Sequence, residues 1–194
     1  MASETLELRY VAISTLEEWS GNPKRHHLPD IEESIRRFGF RDPPAFDPAL
    51  NGGRGGVVEG NGRAQVLRAM EEAGQEPPRG IVLDPEGHWL APVLFGVHAR
   101  REEEAEAYGL THNITVLGGS GLAFEDLVQL FDEEALQAVL REMPDAGELL
   151  VGFGTEDLDA LLAPKFEPVG AEEQSRLDQK DPIVCPECGA EIPR

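Results

Sequence analysis

The sequence predicts an α/β (α+β) fold, with short strands alternating with amphipathic helices and helices alone towards the end. Three observations carry this. Leu6-Glu7-Leu8-Arg9-Tyr10-Val11-Ala12-Ile13 alternates apolar and polar residues, as a half-buried strand does. Ile31, Ile35 and Phe38 recur on one face of the segment from Leu28 to Phe38, and Gly39 supplies a helix stop. Val57-Val58 then passes through Glu59-Gly60-Asn61-Gly62-Arg63 into the helical pattern of Ala64 to Ala73.

The other elements follow in order. Thr15 to Trp19 reads as a short helical turn, and Gly21-Asn22-Pro23-Lys24 as a loop. Pro43 to Asp47 reads as extended, Asn51 to Gly56 as a glycine-rich hairpin or flexible loop, and Gly74 to Gly80 as a loop. Ile81 to Leu83 and Ala91 to Val97 read as strands around an Asp84-Pro85-Glu86-Gly87 turn. Arg101 to Tyr108 is a predicted helix ending near Gly109, and Gly118 to Gly121 a flexible break. Phe124 to Met143 carries the apolar spacing of one or two amphipathic helices. A last short helix is expected from Thr155, its predicted N-cap, to Leu162. Pro164 to Pro182 is charged, bounded by proline and poor in apolar residues, which predicts a linker.

The 194 residues, 40% of them hydrophobic, suffice for one domain with a core and a smaller appendage. No apolar run nears the roughly 20 residues that span a bilayer. The first residues lack the basic patch and apolar core of a signal peptide, so a soluble, cytoplasmic protein with no membrane role is expected. The net charge of −20 opposes an unaided DNA-binding surface. That charge is uneven. Residues 1–63 hold eight Lys/Arg against ten Asp/Glu, whereas residues 64–194 hold nine against 27. The basic group Lys24, Arg25, His26 and His27 falls in the near-neutral part, where a small anion is an admissible ligand.

The segment from Val57 to Met70 is the most informative for chemistry. A strand that turns through Gly60 and Gly62 into a helix presents free N–H groups and the positive end of the helix dipole. Such a terminus suits a phosphate, with Arg63 as a forked donor beside it. The plain alternative is an ordinary strand-to-helix turn. Glu59 is the one carboxylate placed for chemistry there. His112 and Asn113 either cap a helix end or face the Gly60–Arg63 turn. Glu102 to Glu106 reads as a solvated acidic helix face. His26 and His27 lack a carboxylate in register for a metal. Cys185-Pro186-Glu187-Cys188 has the spacing of half a zinc knuckle. Its other two ligands would come from a second copy or from histidines; a degenerate remnant is the alternative. No Ser/His/Asp set, Walker A box or His-Glu-x-x-His motif is present.

The order of segments resembles the N-terminal domain of the ParB/sulfiredoxin family. The resemblance rests on Asn22-Pro23-Lys24-Arg25, Ile31 to Phe40, Val58 to Arg63, Ala91-Pro92-Val93 and Thr111-His112-Asn113, and covers about residues 6–117. The Gly-Asn-Gly-Arg box is most similar to the ParB-like branch found in mobile elements or fused to DNA methyltransferases. In partition proteins of this family, CTP lies on a Gly-Glu-Arg-Arg box and a Glu-Asn-x-x-Arg box. Gly60 and Arg63 match the first box and Asn113 the second. Asn61, Gly62, His112 and Val116 depart from them. Asn61 stands where sulfiredoxin has its catalytic cysteine, so reductase activity is not expected.

The resemblance implies a ParB/sulfiredoxin-like domain at 1–117 and an acidic helical extension at 118–163; composition and the cysteine spacing add a linker at 164–182 and a Cys-x-x-Cys tail at 183–194. It further implies a phage- or mobile-element-encoded accessory protein of DNA metabolism that binds a nucleotide or phosphate. Its ligand would be CTP or ATP with Mg, held by Lys24, Arg25, Gly60, Asn61, Gly62, Arg63, His112 and Asn113. Zinc is the expected metal of Cys185 and Cys188. DNA would be reached through a partner, a DNA methyltransferase or nuclease, and a homodimer is admissible. A binding protein is expected rather than an enzyme; the enzymatic forms would be a slow nucleoside triphosphatase or a nuclease, with Glu59 as catalytic candidate. Two alternatives stay open: a non-catalytic adaptor whose acidic helices bind a basic DNA-processing partner, and a ParB-like nuclease.

Overall fold

The computed structural model describes residues 5–117, 121–163, 183–184 and 191–192. The chain divides into two units, Met1–Leu162 and Ala163–Arg194. The first is a mixed α/β unit around a five-stranded sheet. Its elements are β1 (Glu7–Ala12), a 3-10 turn (Ile13–Thr15), α1 (Leu28–Phe38), β2 (Ala45–Asp47), α2 (Leu50–Gly53), β3 (Gly56–Glu59), α3 (Asn61–Glu72), β4 (Val82–Leu83), β5 (Trp89–Phe95), α4 (Glu102–Leu117), α5 (Phe124–Val128), α6 (Glu133–Glu142), α7 (Ala146–Leu149) and α8 (Thr155–Leu162). The second unit shows one antiparallel pair, β6 (Ile183–Val184) with β7 (Glu191–Ile192).

The strand order is β1-β5-β2-β3, with β4 also on β5. β1 and β4 run antiparallel to β5, β2 lies parallel to β5 at Ala45 and Leu94, and β2 and β3 form an antiparallel pair. Successive strand residues face opposite sides, and β3 shows the consequence. Val57 joins the core beneath α1 and α3, with Ile35, Leu67, Met70, Ala91 and Val93. Val58 joins the core on the other face, with Trp19, Leu110, Ile114, Phe131, Leu136 and Leu140. The helices after residue 120 therefore share a core with the sheet, through Trp19 and Val58.

Several local expectations differ from the structure. α4 does not stop near Gly109 but runs on to Leu117. Gly109 sits inside it because Trp19 packs there; an added Cβ would lie 2.9 Å from the indole. The 51–56 segment is not a loose loop. Asn51 and Gly52 take left-handed backbone angles, and the Asn51 side chain ties the turn down. Its amide donates to the carbonyls of Glu18 and Gly55 and accepts from the N–H and hydroxyl of Ser20. Thr155 is the first residue of α8, and the Gly154 N–H is capped instead by Asp157 at 2.8 Å. The acidic run at 102–106 is half-buried rather than a solvated face. Glu102 accepts the Gly52 N–H and Glu104 the Arg100 N–H, both at 2.8 Å. The predicted linker, 164–182, and residues 118–120 of the predicted glycine break lie outside the described residues.

Candidate functional site

A cavity of about 520 Å³ opens where α1, the β3–α3 turn and α4 meet. Its wall divides into two chemically distinct parts. One is apolar: Ile31, Ile35, Phe38 and Phe40, from α1 and the turn after it. Ile35 is buried, while Phe38 is 54% exposed and so stands at the mouth rather than in the core. The other part is ionic. It carries Lys24, His26 and Arg63, with Asp42, Glu59, His112 and Asn113 alongside.

Gly60 starts the turn. Its φ of 93° places it in the left-handed region, and a Cβ there would lie 2.9 Å from Pro44. The Arg63 and Ala64 N–H groups both bond the Gly60 carbonyl. The N–H groups of Asn61 and Gly62 come first in α3 and so have no carbonyl one turn back. Gly62 was expected to admit a phosphate, but its missing side chain has an internal use. The His26 ring occupies that space, 2.9 Å from where a Cβ would stand. Asn61 also departs from expectation as a ligand group. Its side chain is 3% exposed, accepts the Trp19 N–H at 3.0 Å and donates to the Val57 carbonyl at 2.8 Å. That amide is scaffold, and Asn61 offers a ligand its backbone N–H.

Arg63 is the centre of the ionic part. Its Nη1 pairs with Asp42 at 2.8 Å, and its Nη2 lies 3.9 Å from Glu59, too far for a hydrogen bond. Among the described residues, neither Nε nor Nη2, both buried, has a hydrogen-bond partner. Nε2 of His26 is buried and unpartnered as well. Burial is the main cause holding the His26 imidazole below its usual range. The Lys24 and Arg63 charges add to this, and Glu18 opposes it. Burial likewise lowers the Lys24 ammonium, whose Nζ sits 5.6 Å from the centre of the Phe131 ring. Unpartnered buried donors are costly. The two Arg63 donors and the His26 nitrogen stand together beside the N-terminus of α3.

Glu59 lines the same cavity. Tyr108 donates its hydroxyl to Glu59 at 3.2 Å, and His112 Nε2 stands 3.5 Å away. Burial, then the Glu59 charge and hydrogen bond, push the Tyr108 phenol up. Asn113 lines the cavity while its amide donates to the Gly109 carbonyl at 2.7 Å, one turn back in α4. Arg25 does not line the cavity. Its guanidinium turns outward to Asp132, at 3.3 Å. Cys185 and Cys188 lie outside the described residues. Among the described residues, no group of three or more His, Cys, Asp or Glu is arranged to hold a metal ion, and no helix is long and apolar enough to cross a membrane.

Of the ligand set that the resemblance implied, Lys24, Gly60, Asn61, Gly62, Arg63, His112 and Asn113 line the cavity, as does Glu59, and Arg25 does not. Sequence reasoning missed the apolar half of the wall, the role of Asp42 as counter-ion to Arg63, and Tyr108. His26 was weighed as a metal ligand and an anion contact, but not as a ring packed on Gly62. Compared with protein-family models and with curated proteins, the chain matches none.

Proposed function

We propose that this chain is a ParB/sulfiredoxin-like accessory protein of DNA metabolism whose cavity binds a nucleotide or other phosphate-bearing ligand. The observation that carries the reading is the pair of unpartnered, buried Arg63 nitrogens at the N-terminus of α3. A phosphate oxygen at this point would satisfy the Arg63 fork and the first N–H groups of α3 together. Lys24 would add charge, and the unpartnered His26 nitrogen a further hydrogen bond. Ile31, Phe38 and Phe40 would take an apolar or aromatic portion such as a base. Divalent magnesium would enter with the phosphates of the ligand.

The test is equilibrium binding of CTP, ATP and GTP, with and without Mg²⁺, to the wild type and to Arg63→Ala. The expected result is affinity in the micromolar range for at least one nucleotide, weakened about tenfold or more by Arg63→Ala, since a charge-assisted hydrogen bond contributes about 1.5–3 kcal/mol. Folded wild-type protein that binds none of them, or an Arg63→Ala variant that binds as well as the wild type, would refute the reading. The adaptor alternative would then lead.

A further inference from the structure

The strand β1 has only one neighbour among the described residues. It forms an unbroken antiparallel register with β5, from Glu7 opposite Phe95 to Ala12 opposite Leu90. Every other residue of such a strand directs its N–H and C=O away from the sheet. Edges of this kind are normally blunted by proline, lysine, a bulge or a covering element. β1 has no proline, lysine or bulge, and Glu7 to Tyr10 are exposed. Its one cation, Arg9, is matched by Glu7 at 2.5 Å, and its guanidinium lies 5.1 Å from the Phe95 ring centre.

The two faces of this edge differ. The α1/α3 core covers Val11, Trp89, Ala91 and Val93. On the opposite face, Ala45 packs against the helical core, but towards β1 the sheet is open. Leu6, Leu8 and Tyr10 are 67%, 52% and 49% exposed, and Leu90 and Leu94 of β5 are only half-buried beside them. A charge-neutral edge and an apolar stripe are thus joined on a chain whose net charge is −20.

We propose that β1 pairs antiparallel with β1 of a second copy, about a two-fold axis at Leu8, so that the two sheets become one. The register follows from geometry and charge. In an antiparallel pair, opposed residues must both direct their backbone groups into the same gap, so the axis passes through a residue and not between two. An axis at Glu7 opposes Glu7 to itself, and an axis at Arg9 opposes Arg9 to itself. An axis at Tyr10 leaves both charges facing apolar residues. An axis at Leu8 alone sets Glu7 of each copy opposite the other copy's Arg9. It also sets Leu6 opposite Tyr10 and Leu8 opposite Leu8, making one continuous apolar stripe across both copies. Such an interface is self-complementary and closes at two copies. A single strand pair is a small interface, so the association is reversible and concentration-dependent. It is independent of the cavity.

Sedimentation velocity of the full chain, from micromolar to several hundred micromolar, tests this. The wild type is expected to move from its 21.2 kDa chain mass to twice that value as concentration rises. Glu7→Arg and Arg9→Glu each make the strand single-signed, and each is expected to stay at chain mass. An equimolar mixture of the two variants regains opposite charges at both crossings and is expected to dimerise like the wild type. Both side chains are more than half exposed, so neither change threatens the monomer fold. A wild type that stays at chain mass throughout would overturn the proposal. So would single variants that dimerise like the wild type, or a mixture that does not recover.

Discussion

Asn61 joins two segments that are far apart in sequence. Its amide satisfies the Trp19 N–H and the Val57 carbonyl inside the protein. Asn61→Ala would leave both without that partner, at a cost of about 1–3 kcal/mol for each buried orphan. A lowered melting temperature, read by tryptophan fluorescence, is the expected outcome. Asp42 works in the opposite direction. It is 67% exposed in its side chain and holds one edge of the Arg63 guanidinium. Exposed pairs of this sort contribute about 0.2–1 kcal/mol. Asp42→Ala is therefore expected to tighten nucleotide or phosphate binding about two- to fivefold with little loss of stability. Weaker binding in a calorimetric titration would show that Asp42 orients Arg63 rather than competing with the ligand.

At the scale of elements, α4 and α6 press carboxylates together. Glu102, Glu106 and Glu142 line a second cavity of about 350 Å³ with Trp19 and Val139. Burial first, then the Glu102 charge, raise the Glu106 carboxyl to about 7, helped by Glu103 and Glu142 and opposed by the Trp19 hydrogen bond. The folded chain thus keeps this proton at a pH where the unfolded chain, near 4.5, has released it. Stability must fall as pH rises from about 4.5 to about 7, and the penalty is then complete. Glu106→Gln keeps an acceptor for Trp19 without the charge. It is expected to raise the melting temperature at neutral and higher pH and to flatten that part of the profile, as thermal melts across the pH range would show. The sequence placed the start of α4 and the region of α6, but neither the length of α4 nor how the two helices sit. A run of glutamates with no apolar stripe reads as a wet face, whereas Ala105, Ala107, Leu110 and Ile114, with Trp19 on Gly109, show that α4 is enclosed. For the same reason Gly109 read as a stop: glycine as a helix terminator and glycine as a seat for an indole look alike in one dimension.

In the whole molecule, the α/β class and the positions of most strands and helices were legible, because alternation, amphipathic spacing and glycine turns are local signals. The strand-to-helix turn at Gly60 was legible for the same reason. What the turn surrounds was not, since the cavity is built from residues far apart in the chain. The clearest case is the Pro23–Arg25 loop. Its backbone is bonded to the segment after α5: Arg25 N–H to the Leu130 carbonyl at 2.9 Å, and Asp132 N–H to the Pro23 carbonyl at 2.7 Å. These bonds close a loop of more than a hundred residues, and such a closure is entropically costly. One wall of the cavity is thus fastened by a segment synthesised long after the wall itself. If the cavity binds an anion as proposed, that capacity depends on a segment more than a hundred residues beyond the loop that lines it.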